Sequence, residues 1–337
     1  MKIEELGEIR LIERIVKEFH ADKQLVPAGA GEDDCAIIDI EKARGGFKYL
    51  VVTTDTLQES THFPTGISPF QMGWSAVAVN LSDIAAMGAY PFAFTIALGI
   101  PLQTEVSFVD ELVAGIETCA SSYNTIVVGG GITRSKELIL TGTCIGFADN
   151  PLRRSGAHVG DLICVTGSLG NAALALKVLK GELEVPDRVA ALAKRALFQP
   201  TPKVKEGISI ANSGVATSMM DISDGLALSV VEIAKKSKVG AELHEDKVPV
   251  LSEELRHEGS LDLSPRERRE LAFYYGGDYE LLFTIDPRSL KNEELMSRLA
   301  SEVKMSIIGN VVPPEEGIYV KKGKRKEKME IKGYQHF

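Results

Sequence analysis

Apolar residues recur along this chain with two periods, and the alternation between those periods sets out its elements. Leu6, Ile9, Ile12, Ile15, Val16 and Phe19 fall at helical spacing and predict an amphipathic first helix. Cys35–Ile40 and Phe47–Thr53 read as strands. Pro69 suits the first turn of a second helix, which runs through Trp74, Val77, Val79 and Ile84 to Met87, with Gly88 at its C-cap. Its many small residues predict close packing. Phe92–Leu98 reads as a strand. Glu105–Cys119 reads as a helix with Val106, Val109, Leu112, Val113 and Ile116 facing inward. Thr125–Val128 and Leu138–Ile145 read as strands flanking a Gly-rich turn.

Ala148-Asp149-Asn150-Pro151 carries turn chemistry and no apolar pattern, so a domain boundary is expected there, dividing the chain into 1–148 and 149–337. Beyond it, Leu162–Thr166 is a predicted strand, followed by a turn at Gly167-Ser168-Leu169-Gly170 and an Ala/Leu-rich helix. Helices are expected near Val189–Leu197, Val204–Ala211, Leu226–Lys236 and Glu293–Ser301. Strands are expected at Met219–Ile222, Ala241–His244, Glu280–Ile285, Met305–Ile308 and Ile318–Val320. The class is α+β, with mixed order in two domains.

Bulk properties narrow the function. At roughly 150 residues per domain, 337 residues fit two domains. Hydrophobic residues at 44% and charged residues at 25% suit a soluble globular protein. A net charge of −9 argues against general nucleic-acid binding, and no apolar run reaches the roughly 18 residues of a membrane span. The start Met1-Lys2-Ile3-Glu4-Glu5 is acidic and helix-like, so a signal peptide is not expected there. Cys35, Cys119, Cys144 and Cys164 lie far apart in apolar stretches, which points to buried, reduced thiols and a cytoplasmic location. The basic run from Lys321 to Lys328 reads as a solvated hairpin turn.

The chemistry lies in four acidic clusters: Asp33-Asp34, Thr53-Thr54-Asp55, Ser82-Asp83 and Asp221-Ile222-Ser223-Asp224-Gly225. Solvated turns would account for Asp33, Asp34 and Asp55 taken singly, and helix capping for Ser223 or Asp224. Neither explains Asp83, a charge inside an apolar helix, where an unpaired carboxylate is costly. Grouped carboxylates with Ser and Thr hydroxyls, and no Cys/His set, suit a hard ion such as Mg²⁺, which commonly bridges to substrate phosphates. No G-x-x-x-x-G-K-[ST] and no H-R-D with D-F-G is present, so phosphate chemistry here needs another device. Gly129-Gly130-Gly131 offers backbone N–H groups to phosphate oxygens, or is a flexible turn. Gly167–Gly170 is an anion-binding helix start, or a plain turn. Arg153 and Arg154 are solvated, or bind phosphate at a domain cleft. His62 alone is an ordinary structural or exposed histidine.

These residues form strings that resemble the thiamine-monophosphate kinase family, within the superfamily of aminoimidazole ribonucleotide synthetase. The strings are Glu32-Asp33-Asp34-Cys35-Ala36, Thr53-Thr54-Asp55-Thr56-Leu57, His62-Phe63, Ala78-Val79-Asn80-Leu81-Ser82-Asp83-Ile84-Ala85-Ala86-Met87-Gly88-Ala89, Arg154-Ser155-Gly156-Ala157, Gly160-Asp161, Met220-Asp221-Ile222-Ser223-Asp224-Gly225-Leu226, Asp278-Tyr279-Glu280-Leu281 and Lys332-Gly333-Tyr334-Gln335-His336-Phe337. The resemblance implies transfer of the ATP γ-phosphoryl group to thiamine monophosphate. It implies a synthetase-like fold whose N-terminal α/β domains pair their sheets across a homodimer, with ATP in a cleft at that interface. Several Mg²⁺ ions would be held by Asp34, Thr53, Thr54, Asp55, Asp83, Asp221 and Asp224. Gly130, Gly131, Arg154 and Ser223 would contact ATP. His62 would contact the thiamine phosphate, Ile331 or Tyr334 would hold the thiamine, and Asp278 stands on the substrate side.

Two positions depart from the family pattern: Gly131 replaces a metal-binding Asp, and Gly277 replaces an acidic residue before Asp278. A sister synthetase remains an alternative, although selenophosphate synthetase would carry an N-terminal reactive Cys and the hydrogenase-maturation relative a Cys-containing tail. A degenerate binder without turnover is the non-enzymatic alternative, and Gly131 is its main support.

Overall fold

The computed structural model describes residues 27–28, 33–34, 36–39, 48–257 and 261–336. The predicted first helix, Cys35, the start of the predicted strand at Phe47, and Phe337 lie outside them. In chain order the first half contains β1 (Ala36–Asp39), β2 (Tyr49–Gln58), α1 (Glu59–His62), α2 (Pro69–Ala86), β3 (Tyr90–Ile100), α3 (Val106–Ser122), β4 (Ile126–Arg134) and β5 (Ile139–Ala148). The second half contains β6 (Leu162–Thr166), α4 (Asn171–Leu179), α5 (Asp187–Phe198), α6 (Val204–Ser213), β7 (Ala216–Ile222), α7 (Leu226–Ser237), β8 (Gly240–His244), α8 (Glu253–His257), α9 (Pro265–Tyr274), β9 (Glu280–Ile285), α10 (Glu293–Glu302), β10 (Met305–Val312), β11 (Ile318–Lys322) and β12 (Arg325–Lys328).

Two mixed sheets give an α+β molecule of two domains. The first is ordered β1-β2-β5-β3-β4 and the second β12-β11-β8-β10-β6-β9-β7. Only β3·β4 and β8·β11 pair in parallel among these neighbours. Between the sheets runs α2, started by Ser68 in a capping box with Gln71 and by Pro69 in the first turn. From Ser75 to Ala86 every residue of α2 except Asp83 is buried. A helix apolar on all sides belongs in a core. It touches α3 so closely that a Cβ on Gly115 would lie 1.9 Å from the Phe70 carbonyl oxygen. On its other side the Trp74 indole N–H donates to the Pro200 carbonyl at 2.8 Å and the Ser75 hydroxyl to that of Phe198 at 3.2 Å. One buried cluster therefore extends from Val51 in the first sheet through α2 to Met219, Phe283 and Ile285 in the second.

Three expectations need correction. The inward face of α3 is Leu112, Gly115, Ile116, Cys119 and Ala120, while Val106 and Val113 are exposed. The apolar stripe is wider than the face α2 covers. Gly129–Gly131 form no turn. They lie within β4, paired with Thr95–Ala97, and Gly130 is so close to the Ile96 carbonyl that a Cβ would sit 1.7 Å from its oxygen. The helix α9 was not expected, although Ser264 and Glu267 form its capping box and Pro265 opens its first turn.

Cys119, Cys144 and Cys164 are buried free thiols, as expected. The basic run forms the β11–β12 hairpin turned at Gly323, with Lys326 paired to Glu242 and Glu316. Among the described residues no helix is long and apolar enough to cross a membrane.

Candidate active site

Helix α2 carries Asp83 in its last turn, β7 carries Asp221 near its C-terminal end, and Asp34 precedes β1. The fold brings one carboxylate oxygen of each within 4.8 Å of the others. Neighbouring hydroxyls orient them. The Thr53 hydroxyl donates to Asp83, and the Ser82 hydroxyl donates to Asp221 at 2.7 Å. Asp55, two residues along β2 from Thr53, faces the same helix, and its N–H donates to the Asn80 side-chain oxygen at 3.2 Å.

This concentration of negative charge is electrostatically unfavourable on its own. Burial, followed by the charges of Asp55, Asp221 and Asp34, holds the Asp83 carboxyl well above its usual range. Burial and then Asp34 push Asp221 up to about 7 and Asp55 to about 6. Arg154 offsets part of the charge by pairing its guanidinium with Asp34, while its backbone N–H donates to both oxygens of Asp33 at 3.1 Å. The second oxygen of Asp34 is buried with no hydrogen-bond partner. An orphaned carboxylate oxygen beside two more carboxylates fits a hard divalent cation with oxygen ligands.

The cluster opens onto a cleft of about 650 Å³. Asp55, Asp83, Asp221, Ser223 and Asp224 line it, together with His62 and Tyr334. Sequence reasoning missed Phe63, Tyr274, Tyr275 and Tyr279, which line it too. The Asp-Tyr-Glu string held the signal for Tyr279, whose left-handed backbone (φ 50°) sets it apart from an ordinary strand residue.

Other expected residues take different places. Thr54 points to the opposite face of β2, as strand alternation requires, and its hydroxyl bonds to that of Thr143 at 2.8 Å. Gly130 and Gly131 lie on the edge strand β4, three inter-strand spacings from β2, or roughly 14 Å; they are not among the lining residues of the cleft. Ile331 is exposed and also outside that lining. Asp278 accepts the Gly170 and Ala172 N–H groups at 2.6 and 3.1 Å and so binds the N-terminus of α4 instead of facing the cleft. Gly277 does line the cleft, at φ 94°, a conformation that disfavours an acidic side chain there.

The chain belongs to the AIR synthase related proteins, whose two domain models match its two halves. Residues 32–148 match the N-terminal domain of that family and residues 158–321 its C-terminal domain. Within that class, the chain belongs to the thiamine-monophosphate kinase family. It is 36% identical over 287 residues to the thiamine-monophosphate kinase of Methanospirillum hungatei, covering 83% of this chain and 90% of that one. It is 37% identical over 289 residues to that of Pyrococcus horikoshii, covering 86% of each chain. Its fold matches the structure of AaThiL complexed with AMPPCP and TMP with a TM-score of 0.84 at 32% identity, over 100% of this chain and 99% of that one.

Proposed function

We propose that this protein transfers the terminal phosphoryl group of ATP to thiamine monophosphate, giving ADP and thiamine diphosphate. The meeting of Asp34, Asp83 and Asp221 beside a cleft lined by His62 and Tyr334 carries this reading. Kinship with thiamine-monophosphate kinases and likeness to a relative complexed with AMPPCP and TMP support it. Asp34, Asp83 and Asp221 would hold magnesium, with Asp55 and Asp224 as further candidates along the cleft. When bound, the ions would neutralise the charge that otherwise keeps a triphosphate and a phosphate apart. Thr53 and Ser82 orient the ligand carboxylates. An acceptor phosphate is already ionised at neutral pH, so no general base is required. His62 serves in binding: burial, then the charge of His336, lowers its pKa and favours the neutral ring. Phe63, Tyr274, Tyr275 and Tyr334 offer aromatic faces to the thiamine rings and exclude water.

The working form is a homodimer paired through the first sheet. The edge strand β4 exposes Ile126, Val128 and Ile132, an apolar edge suited to a second copy. Gly130 and Gly131 lie on that edge, so the nucleotide site would draw on the pairing. The enzyme is read as cytoplasmic, with no nucleic-acid or membrane partner.

Incubation with ATP, Mg²⁺ and thiamine monophosphate, analysed by mass, tests the reading. Thiamine diphosphate is the expected product; its absence with both substrates bound overturns the reading. Gly131 favours a second one, a binder without turnover. A side chain at 131 meets nothing within 4 Å, so Gly131→Asp fits. A gain from near zero in that variant selects the second reading, and an active wild type excludes it.

A further inference from the structure

Three residues of the cleft meet in one set of contacts that the phosphoryl-transfer reading leaves unused. The Tyr334 hydroxyl lies 3.3 Å from Nδ1 of His336, and the two rings stand edge to face with centroids 5.0 Å apart. On its other side the His336 ring lies 5.0 Å from that of His62, tilted by 49°. His62 belongs to α1, while Tyr334 and His336 belong to the segment that follows β12.

Both partners of His336 are themselves fixed. Nδ1 of His62 lies 3.0 Å from the Gln58 backbone nitrogen and 2.7 Å from the Thr61 hydroxyl, contacts within its own turn that hold the ring. The Tyr334 N–H donates to the Asp224 carbonyl at 3.0 Å. Just before it, Gly333 lies so close to the start of α7 that a Cβ would come 2.3 Å from Leu228 and 2.5 Å from the Asp224 carbonyl oxygen.

We propose that His336 is a positioning residue for the acceptor: it joins the segment carrying Tyr334 to the helix carrying His62, and so holds both substrate-contacting side chains in one arrangement. This rests on the function proposed above. A preformed arrangement lowers the ordering cost of binding. The Asp34, Asp83 and Asp221 carboxylates stand outside these contacts, and Asp224 enters them only through its backbone carbonyl, so the effect falls on acceptor binding and not on the transfer step.

The test combines steady-state kinetics with amide hydrogen exchange on the full chain. His336→Ala raises KM for thiamine monophosphate about tenfold while kcat and KM for ATP stay within about twofold. His336→Gln recovers part of the loss, because its amide oxygen accepts the Tyr334 hydroxyl. Exchange at the Tyr334 N–H quickens in His336→Ala. An unchanged KM for thiamine monophosphate, or an unchanged Tyr334 exchange rate, overturns the proposal. A wild type that makes no thiamine diphosphate sinks the functional reading alone, and the exchange arm still decides whether His336 anchors the segment.

Discussion

Ser82 and Asp221, 139 residues apart, are joined by a buried 2.7 Å hydrogen bond that ties the last turns of α2 to the end of β7. It is a direct link between the two halves at the cluster of Asp34, Asp83 and Asp221. Ser82→Ala removes the donor and leaves a buried carboxylate oxygen poorly satisfied. The expected cost is about 1–3 kcal/mol of stability by urea unfolding. The variant also needs a higher Mg²⁺ concentration for half-maximal turnover. A variant matching the wild type in both would show that the bond does not orient Asp221.

Asp83 stands among three other carboxylates, and removing its charge has opposite effects on stability and activity. Asp83→Asn keeps an acceptor for the Thr53 hydroxyl but relieves repulsion. Without Mg²⁺ it is expected to melt at a higher temperature than the wild type. With Mg²⁺ it gains less in melting temperature, and its turnover falls at least about 100-fold, in line with the loss of a metal-held charge. Thermal melts with and without Mg²⁺ test both. Equal Mg²⁺ stabilisation of the two proteins would remove Asp83 from the ligand set.

Asp278 gives a pH dependence separate from the carboxylate cluster of Asp34, Asp83 and Asp221. Burial is the largest cause, and it holds this carboxyl up to about 7 against the pull of the α4 N–H groups. Because the folded value lies above the unfolded one near 3.8, the contribution is fully present below about 4 and is lost as pH rises through about 7. The scale is about 1.4 kcal/mol for each unit separating the two values. Asp278→Asn cannot ionise, so its stability falls less between pH 4 and pH 8. Urea midpoints across that range decide it, and parallel curves for the two proteins would contradict the assignment.

Gly115 sits where α3 meets α2, with no room for a methyl group. Gly115→Ala pushes the helices apart at a cost of about 1–3 kcal/mol or more, read from the urea midpoint. An unchanged midpoint would mean that the contact yields easily.

Much of this was legible in the sequence, for particular reasons. Asp83 stood out because a charge inside an apolar helix demands a partner, and the structure supplies Asp34 and Asp221 as neighbours. Leu162–Thr166 and Glu280–Ile285 were predicted to the residue because continuous apolar runs bounded by turn residues mark central strands. Gly129–Gly131 misled because a run of glycines signals a turn, whereas here bare backbone is required beside Ile96. Asp278 was misplaced because its partners, Gly170 and Ala172, lie more than a hundred residues away. Tyr274 and Tyr275 carried no mark, since an aromatic residue reads alike in a core and in a cleft.

The burial of α2 between two sheets has a consequence for how the protein fails. The helix that unites the halves also presents Asp83, so neither half can loosen while the chemistry survives. Heat should therefore extinguish metal binding and the whole architecture together, in one cooperative collapse.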